Sequence, residues 1–169
     1  MQELDEVWAG MLENALAKAE AENRRDVADY LTLKAMNDAI RQTSVQWLFG
    51  LLLEIAATNP QIAIENENPH RFNFSNASLV GSLLRLRRGV RCLTVEAGWT
   101  RTPKDGFMRG GALAAARITH FGMAKYNTDL LLIQLNGTPV WFFLEKDGRR
   151  VSFDSSHLHQ HFQIFLGEN

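Results

Sequence analysis

No proline interrupts the stretch from Leu4 to Ala57, and Ala, Leu, Glu, Lys, Arg and Met dominate it. These residues lose little side-chain freedom in a helix, so the segment is predicted to be helical almost throughout. Its second part carries the clearer stripe. Val27, Leu31, Ala35, Ala39 and Ile40, then Val45, Leu48, Leu52, Ile55 and Ala56, recur at three- and four-residue steps that place them on one face. The first part, with Trp8, Leu12, Ala15, Leu16 and Ala19, keeps the spacing but relies on small alanines. The polar run AENRRD at 21–26 is the expected break between two helices, with one helix across 4–57 as the alternative. Thr58, Asn59 and Pro60 end the helical region, because proline disfavours the helical conformation of the residue before it.

After Pro60 the pattern changes to short apolar or β-branched runs separated by turn dipeptides, the mark of an antiparallel sheet rather than of alternating βαβ units. Strands are predicted near 61–65, 78–87, 90–101, 108–121, 129–136, 139–146 and 150–153, with the polar run NENPHRFNFSNAS at 66–78 as a loop. Arg88-Gly89, Asn136-Gly137 and Asp147-Gly148 are tight-turn signals, since these residues accept positive φ. Asp154 and Ser155 can cap a short C-terminal helix carrying Leu158, Phe162 and Phe165. The expected fold is α+β in a single domain, residues 1–169. A helical segment at 1–59, as one long helix or a helical hairpin, covers a curved antiparallel sheet of about six strands within 60–169, and a short helix closes the chain. Leu84, Leu93, Val95, Leu131, Ile133, Phe142 and Leu144 are the expected sheet core.

A chain of 169 residues, 46% hydrophobic and 22% charged, has the balance of a globular protein rather than a disordered or fibrous one. Cys92 is the only cysteine, so no internal disulfide can form. The start, MQELDEVW, is acidic and has no apolar leader core, and the longest apolar run, Trp47 to Leu53, is too short to span a bilayer. These features give the expectation of a cytoplasmic protein without a membrane partner.

The charge is unevenly placed. Residues 1–70 hold 12 acidic and 5 basic side chains, whereas residues 71–169 hold 7 and 13. Within 71–125 ten Lys and Arg face only Glu96 and Asp105. Such a block attracts an anionic small molecule or a polyanion, or it complements acidic helices of the same chain or of another copy. More helix than one small sheet can cover points to a homo-oligomer formed through residues 1–57.

The densest candidate site is GWTRTPKDGFMRGG at 98–111. Pro103-Lys104-Asp105-Gly106 suits a four-residue turn, and strict pairing around it would set Gly98 opposite Gly111 and Trp99 opposite Gly110. Arg101, Lys104 and Arg109, with Trp99, are the candidate anion-binding residues. No phosphate-loop pattern accompanies them. His120 is the candidate general base of an enzyme built at this glycine-kinked hairpin, with Asp105 or Glu96 to orient it and Arg109 or Arg117 to stabilise negative charge. A hydrogen-bonded structural histidine is the alternative. His157 and His161 of HLHQH share a helical face and are the metal candidates, His159 pointing away. Arg85, Arg87, Arg88 and Arg91 surround one turn and could grip a nucleic-acid backbone, although no aromatics interleave with them in an RNA-binding pattern. Cys92, in the apolar run VRCLTV, is expected to be packed. Asn37, Asp38 and Arg41 form a polar patch in mid-helix, facing solvent or a partner.

These observations define three readings. The first is a non-enzymatic binding or interaction protein that uses the basic side of its sheet for an anionic ligand. The second is a small enzyme at the hairpin, and the third a nucleic-acid-binding protein at 85–91. No cofactor is indicated by any motif.

Overall fold

A computed structural model describes residues 2–21 and 25–168. Two helices lead: α1 is Gln2–Ala21 and α2 is Arg25–Ala56. Residues 22–24, where the break between them was expected, lie outside the described residues. The chain forms two compact units, Met1–Gln42 and Thr43–Asn169, so the division falls within α2.

In the first unit, the Lys34 ammonium lies 5.7 Å from the Trp8 ring centroid and Arg41 pairs with Asp38 at 2.7 Å. Three large apolar side chains of α1 (Val7, Trp8, Met11) and three of α2 (Tyr30, Leu33, Met36) are between 56% and 64% exposed.

The second unit is a seven-stranded antiparallel meander: β1 Ala63–Phe74, β2 Ala77–Arg88, β3 Arg91–Trp99, β4 Ala114–His120, β5 Thr128–Leu135, β6 Thr138–Leu144 and β7 Arg150–Ser152, paired in chain order. Helix α3, Ser155–Leu166, follows. The α+β class with an antiparallel sheet and a short C-terminal helix is as the sequence predicts. Asp154 caps α3 by accepting from the Ser156 and His157 amides, and Gly167 ends it in the left-handed conformation. The turns Gly89-Val90 and Asn136-Gly137 join Arg88 to Arg91 and Leu135 to Thr138, and Asn136 and Gly137 both take positive φ, 52° and 81°.

The polar run 66–78 is not a loop. It forms most of β1, turns at Ser75-Asn76 and enters β2. Phe72 and Phe74 alternate with Arg71 and Asn73, and both rings are buried while the residues between them are exposed. That period of two outweighs the asparagine content.

Register sorts the side chains into two faces. One face carries Leu84, Leu86, Leu93, Val95, Ala97, Ala116, Ile118, Leu130, Leu132 and Trp141, all at most 4% exposed. Leu158, Phe162 and Phe165 of α3 complete this core, with Val45, Leu48, Leu52 and Ala56 of α2. The Trp141 indole N–H donates to the Ser44 carbonyl at 3.2 Å, anchoring this part of α2 at β6. Of the expected core, Leu84, Leu93, Val95 and Phe142 are buried, but Leu131 and Ile133 are only partly so and Leu144 is 43% exposed. The run DLLLI at 129–133 has no alternation to set its phase, and Leu130 and Leu132 are the residues that point into the core.

The other face is open, and the sheet rolls toward it. In a flat sheet β1 and β4 would lie about 14 Å apart, three strand spacings. Here Arg117 of β4 donates to the Asn73 carbonyl of β1 at 3.1 Å, and its guanidinium lies 5.1 Å from the Phe74 ring centroid. The roll passes through the opposed pair Gly81 and Gly98. A Cβ on Gly81 would fall on the Ala97 carbonyl oxygen, and one on Gly98 would stand 2.6 Å from the Val80 oxygen. Gly98 is thus paired with Gly81 and Ala115, and Trp99 with Val80, which corrects the expected pairing with Gly111 and Gly110. The connection from β3 to β4 is no hairpin tip. It forms short 3₁₀ turns at Pro103–Asp105 and Arg109–Gly111, where Gly110 and Gly111 have φ of 62° and 70°, and this delays β4 to Ala114. Met108 from this connection, with Leu131, packs on Phe72, Phe74, Ala77, Leu79 and Ala115, a small second core on the open face.

Candidate functional site

The open face holds most of the sheet's half-buried charge. Glu96 and Arg117 are direct cross-strand neighbours, as are Arg117 and Asp129. The Arg117 Nε donates to Asp129 at 3.0 Å. Glu96 accepts instead from His70 of β1, whose Nε2 is 2.9 Å away, and the His70 Nδ1 is 3.2 Å from Glu67. Gly81 and Gly98 lie between these groups, and their missing side chains leave room for the His70 ring, stacked on Phe72 at 5.8 Å.

Beside this row runs a groove of about 460 Å³, lined by Phe74, Leu131, Phe142 and Leu144 and by Arg109, Arg117, Asp129 and Thr128. Its charges are unequally occupied. Arg117 is tied to Asp129 and to the Asn73 carbonyl. The Arg109 guanidinium, exposed on the turn at 109–111, makes no hydrogen bond or ion pair among the described residues.

Of the other residues expected to hold an anion, Arg101 and Trp99 pack against each other. The Arg101 guanidinium stacks 4.0 Å above the Trp99 ring and donates twice to the Val80 carbonyl, at 3.0 and 3.3 Å. Trp99 is buried, and Lys104 stands exposed on its turn. Asp105 accepts from the Arg101 and Thr102 amides and from Arg71. The Arg101 amide above all, then the Arg71 guanidinium, holds its carboxyl down at about 2. So firmly ionised and so fully bonded, it stabilises the turn.

His120 lies on the other, helix-covered face, 1% exposed, and meets neither Asp105 nor Arg109. Its Nε2 is 2.8 Å from Nδ1 of His161 on α3, and the two rings stack at 5.1 Å. The chain of bonds fixes the tautomers. The Thr128 hydroxyl donates to the Tyr126 carbonyl and so accepts from His161 Nε2, 3.4 Å away. His161 Nδ1 then accepts from His120 Nε2–H, leaving His120 Nδ1 as a buried atom with no partner. Burial lowers both histidines, and His161 falls to about 4, with the nearby His120 and His157 adding to the effect. His157 is engaged by Asp154 at 2.9 Å, and no group of three His, Cys, Asp or Glu able to hold a metal occurs among the described residues.

In the arginine cluster, Arg85 and Arg87 both reach Glu65, at 3.0 and 3.4 Å, and Arg91 donates to the Ile164 carbonyl at the end of α3. Cys92 is half-buried, its sulfur 3.7 Å from the Thr94 hydroxyl. Sequence reasoning missed His70 entirely, because it lay in a segment read as loop. The alternation Phe72, Phe74 was the signal that would have placed it on a strand.

The fold and the groove together define an α+β protein with a rolled, open antiparallel sheet. No protein family, no curated protein and no solved structure matches the chain.

Proposed function

We propose that this is a non-enzymatic binding protein whose open sheet face takes an amphipathic anion, a carboxylate or phosphate joined to an apolar body. One observation carries the reading: an unengaged Arg109 at a groove whose walls are Phe74, Leu131, Phe142 and Leu144. An apolar lining with a few oriented polar groups is the usual composition of a small-molecule site, and a guanidinium presents paired donors to a carboxylate. Arg117, already neutralised by Asp129, shapes the groove without adding net charge. Sodium decanoate is a suitable probe. Titrated into isotope-labelled protein, it is expected to shift the amides of Asp129, Leu131, Phe142 and Leu144 saturably. Arg109→Gln should weaken binding about tenfold, the loss of one charge-assisted hydrogen bond. Absent shifts at millimolar decanoate, or equal affinity of the variant, would refute the reading.

The second part of the proposal is self-association through α1 and α2. Six large apolar side chains stand more than half exposed on one helical pair, and a second copy would cover them. Sedimentation velocity should show a species larger than one chain, reduced to the monomer by Trp8→Glu with Leu33→Glu. A wild-type monomer at tens of micromolar would exclude it.

A further inference from the structure

Among the described residues, two of the most exposed apolar side chains sit on neighbouring turns at one end of the sheet. Val90, in the turn between Arg88 and Arg91, is 91% exposed, and Phe121, just past the end of β4, is 73% exposed. The Phe121 amide donates to the Cys92 carbonyl at 3.0 Å, which sets the two turns side by side. Strand geometry then separates Val90 and Phe121 by about 8 Å, two residues along and one strand across. Neither packs into a core, and the turns that carry them are held by Gly89 at φ 61° and Gly122 at φ 75°.

Cations flank both tips. Arg88 and Arg91 bracket Val90, and Lys125 follows Phe121 on the short turn at Ala124–Tyr126. Arg91 is drawn toward the α3 carboxyl end, whereas Arg88 and Lys125 make no ion pair among the described residues. No acidic residue occurs in 87–95 or in 118–128. Glu65, the acidic group facing this end from β1, is occupied by Arg85 and Arg87.

We infer that this end of the sheet docks on an anionic lipid bilayer, with Val90 and Phe121 entering the interface and Arg88 and Lys125 meeting the headgroups. An apolar tip ringed by cations matches a bilayer surface, where apolar side chains leave water and basic groups meet anionic lipid. A nucleic acid would use the cations but gives an aliphatic tip such as Val90 nothing to stack on. No described helix is long and apolar enough to span a membrane, and surface docking requires none. The expectation of no membrane partner came from the lack of a spanning segment and does not bear on this mode.

The test is co-sedimentation of the full chain with vesicles of phosphatidylcholine alone or with about 30% phosphatidylglycerol, a fraction that gives a strongly negative surface. Binding is expected to the anionic vesicles only. Val90→Asp with Phe121→Asp should abolish it without lowering the melting temperature, since neither side chain is packed. Arg88→Gln with Lys125→Gln should weaken it on the order of twentyfold, about fivefold per cation. Arg109→Gln should leave it intact, which separates this proposal from the groove reading. Absent binding to anionic vesicles, equal binding to neutral ones, or an unaffected tip variant would each overturn the proposal. Retention on duplex DNA without vesicle binding would assign the patch to a polyanion instead, and would overturn it equally.

Discussion

Acidification should loosen α3 from the sheet, through the His120–His161 pair. In the folded protein His161 is held near 4 by burial and by its two histidine neighbours, against 6.5 when exposed. Between those values the unfolded chain binds a proton that the native chain does not, so stability rises with pH across the window and is lost as pH falls from about 6.5 to about 4. At about 1.4 kcal/mol per pKa unit, His161 alone represents about 3 kcal/mol, an upper bound because it is only partly buried. His120 adds in the same direction. The bonding explains the cost. A proton on His161 Nδ1 would confront the His120 Nε2–H, and moving that hydrogen to Nδ1 would leave it buried with no acceptor. Asp154, held at about 2 chiefly by the Ser156 hydroxyl, stays ionised throughout this window and cannot mimic the effect. Urea unfolding at pH 7 and pH 4.5, followed by tryptophan fluorescence, should show the loss. His161→Asn, which keeps an acceptor for His120 but does not titrate, should flatten it. Equal wild-type stability at the two pH values, or an undiminished slope in His161→Asn, would refute the reasoning.

Gly81→Ala should destabilise by on the order of 1–3 kcal/mol in urea unfolding, because its Cβ falls on the Ala97 carbonyl and the sheet must open to admit it. A loss below 0.5 kcal/mol, roughly the scatter of harmless substitutions, would show that the roll does not depend on this glycine pair. Leu158→Ala empties a fully buried position where α3 meets the sheet and should cost about 2–5 kcal/mol in the same assay. An effect under 1 kcal/mol, the level of an ordinary surface change, would mean that α3 is not part of the cooperative core.

The sequence made the class of fold legible through composition and turns. A proline-free helical stretch, the dipeptide Asn136-Gly137 and the cap Asp154 are local signals that the structure keeps over the described residues, whereas the turn expected at Arg88-Gly89 falls one residue later, at Gly89-Val90. Strand phase was harder. Leu130, Leu131, Leu132 and Ile133 are all apolar, so only the partner strand decides which pair enters the core. The glycines misled in the same way. Gly98, Gly110 and Gly111 invited a pairing with one another, but Gly98 already faced a glycine 17 residues upstream at Gly81, across a different hairpin. Local spacing cannot choose between two partners that are both acceptable in sequence.

The site was less legible because it is assembled by that misread contact. Gly81 and Gly98 let the sheet roll and leave space over β2 for His70 of β1 to meet Glu96 of β3, and only in a rolled sheet can Arg117 of β4 reach Asn73 of β1. Glu96, Arg117 and Arg109 were all singled out by their chemistry, yet they were grouped around His120, which the alternation of β4 sends to the opposite face from Arg117. The glycine-rich segment therefore matters in two separate ways. Gly98 bends the sheet, and the later turn at Gly110-Gly111 carries Arg109 to the mouth of the groove that the bend creates. On this argument Gly81→Ala should weaken decanoate binding as well as stability, whereas Arg109→Gln should weaken binding alone. Flattening the sheet removes the groove, and removing the guanidinium removes only its charge.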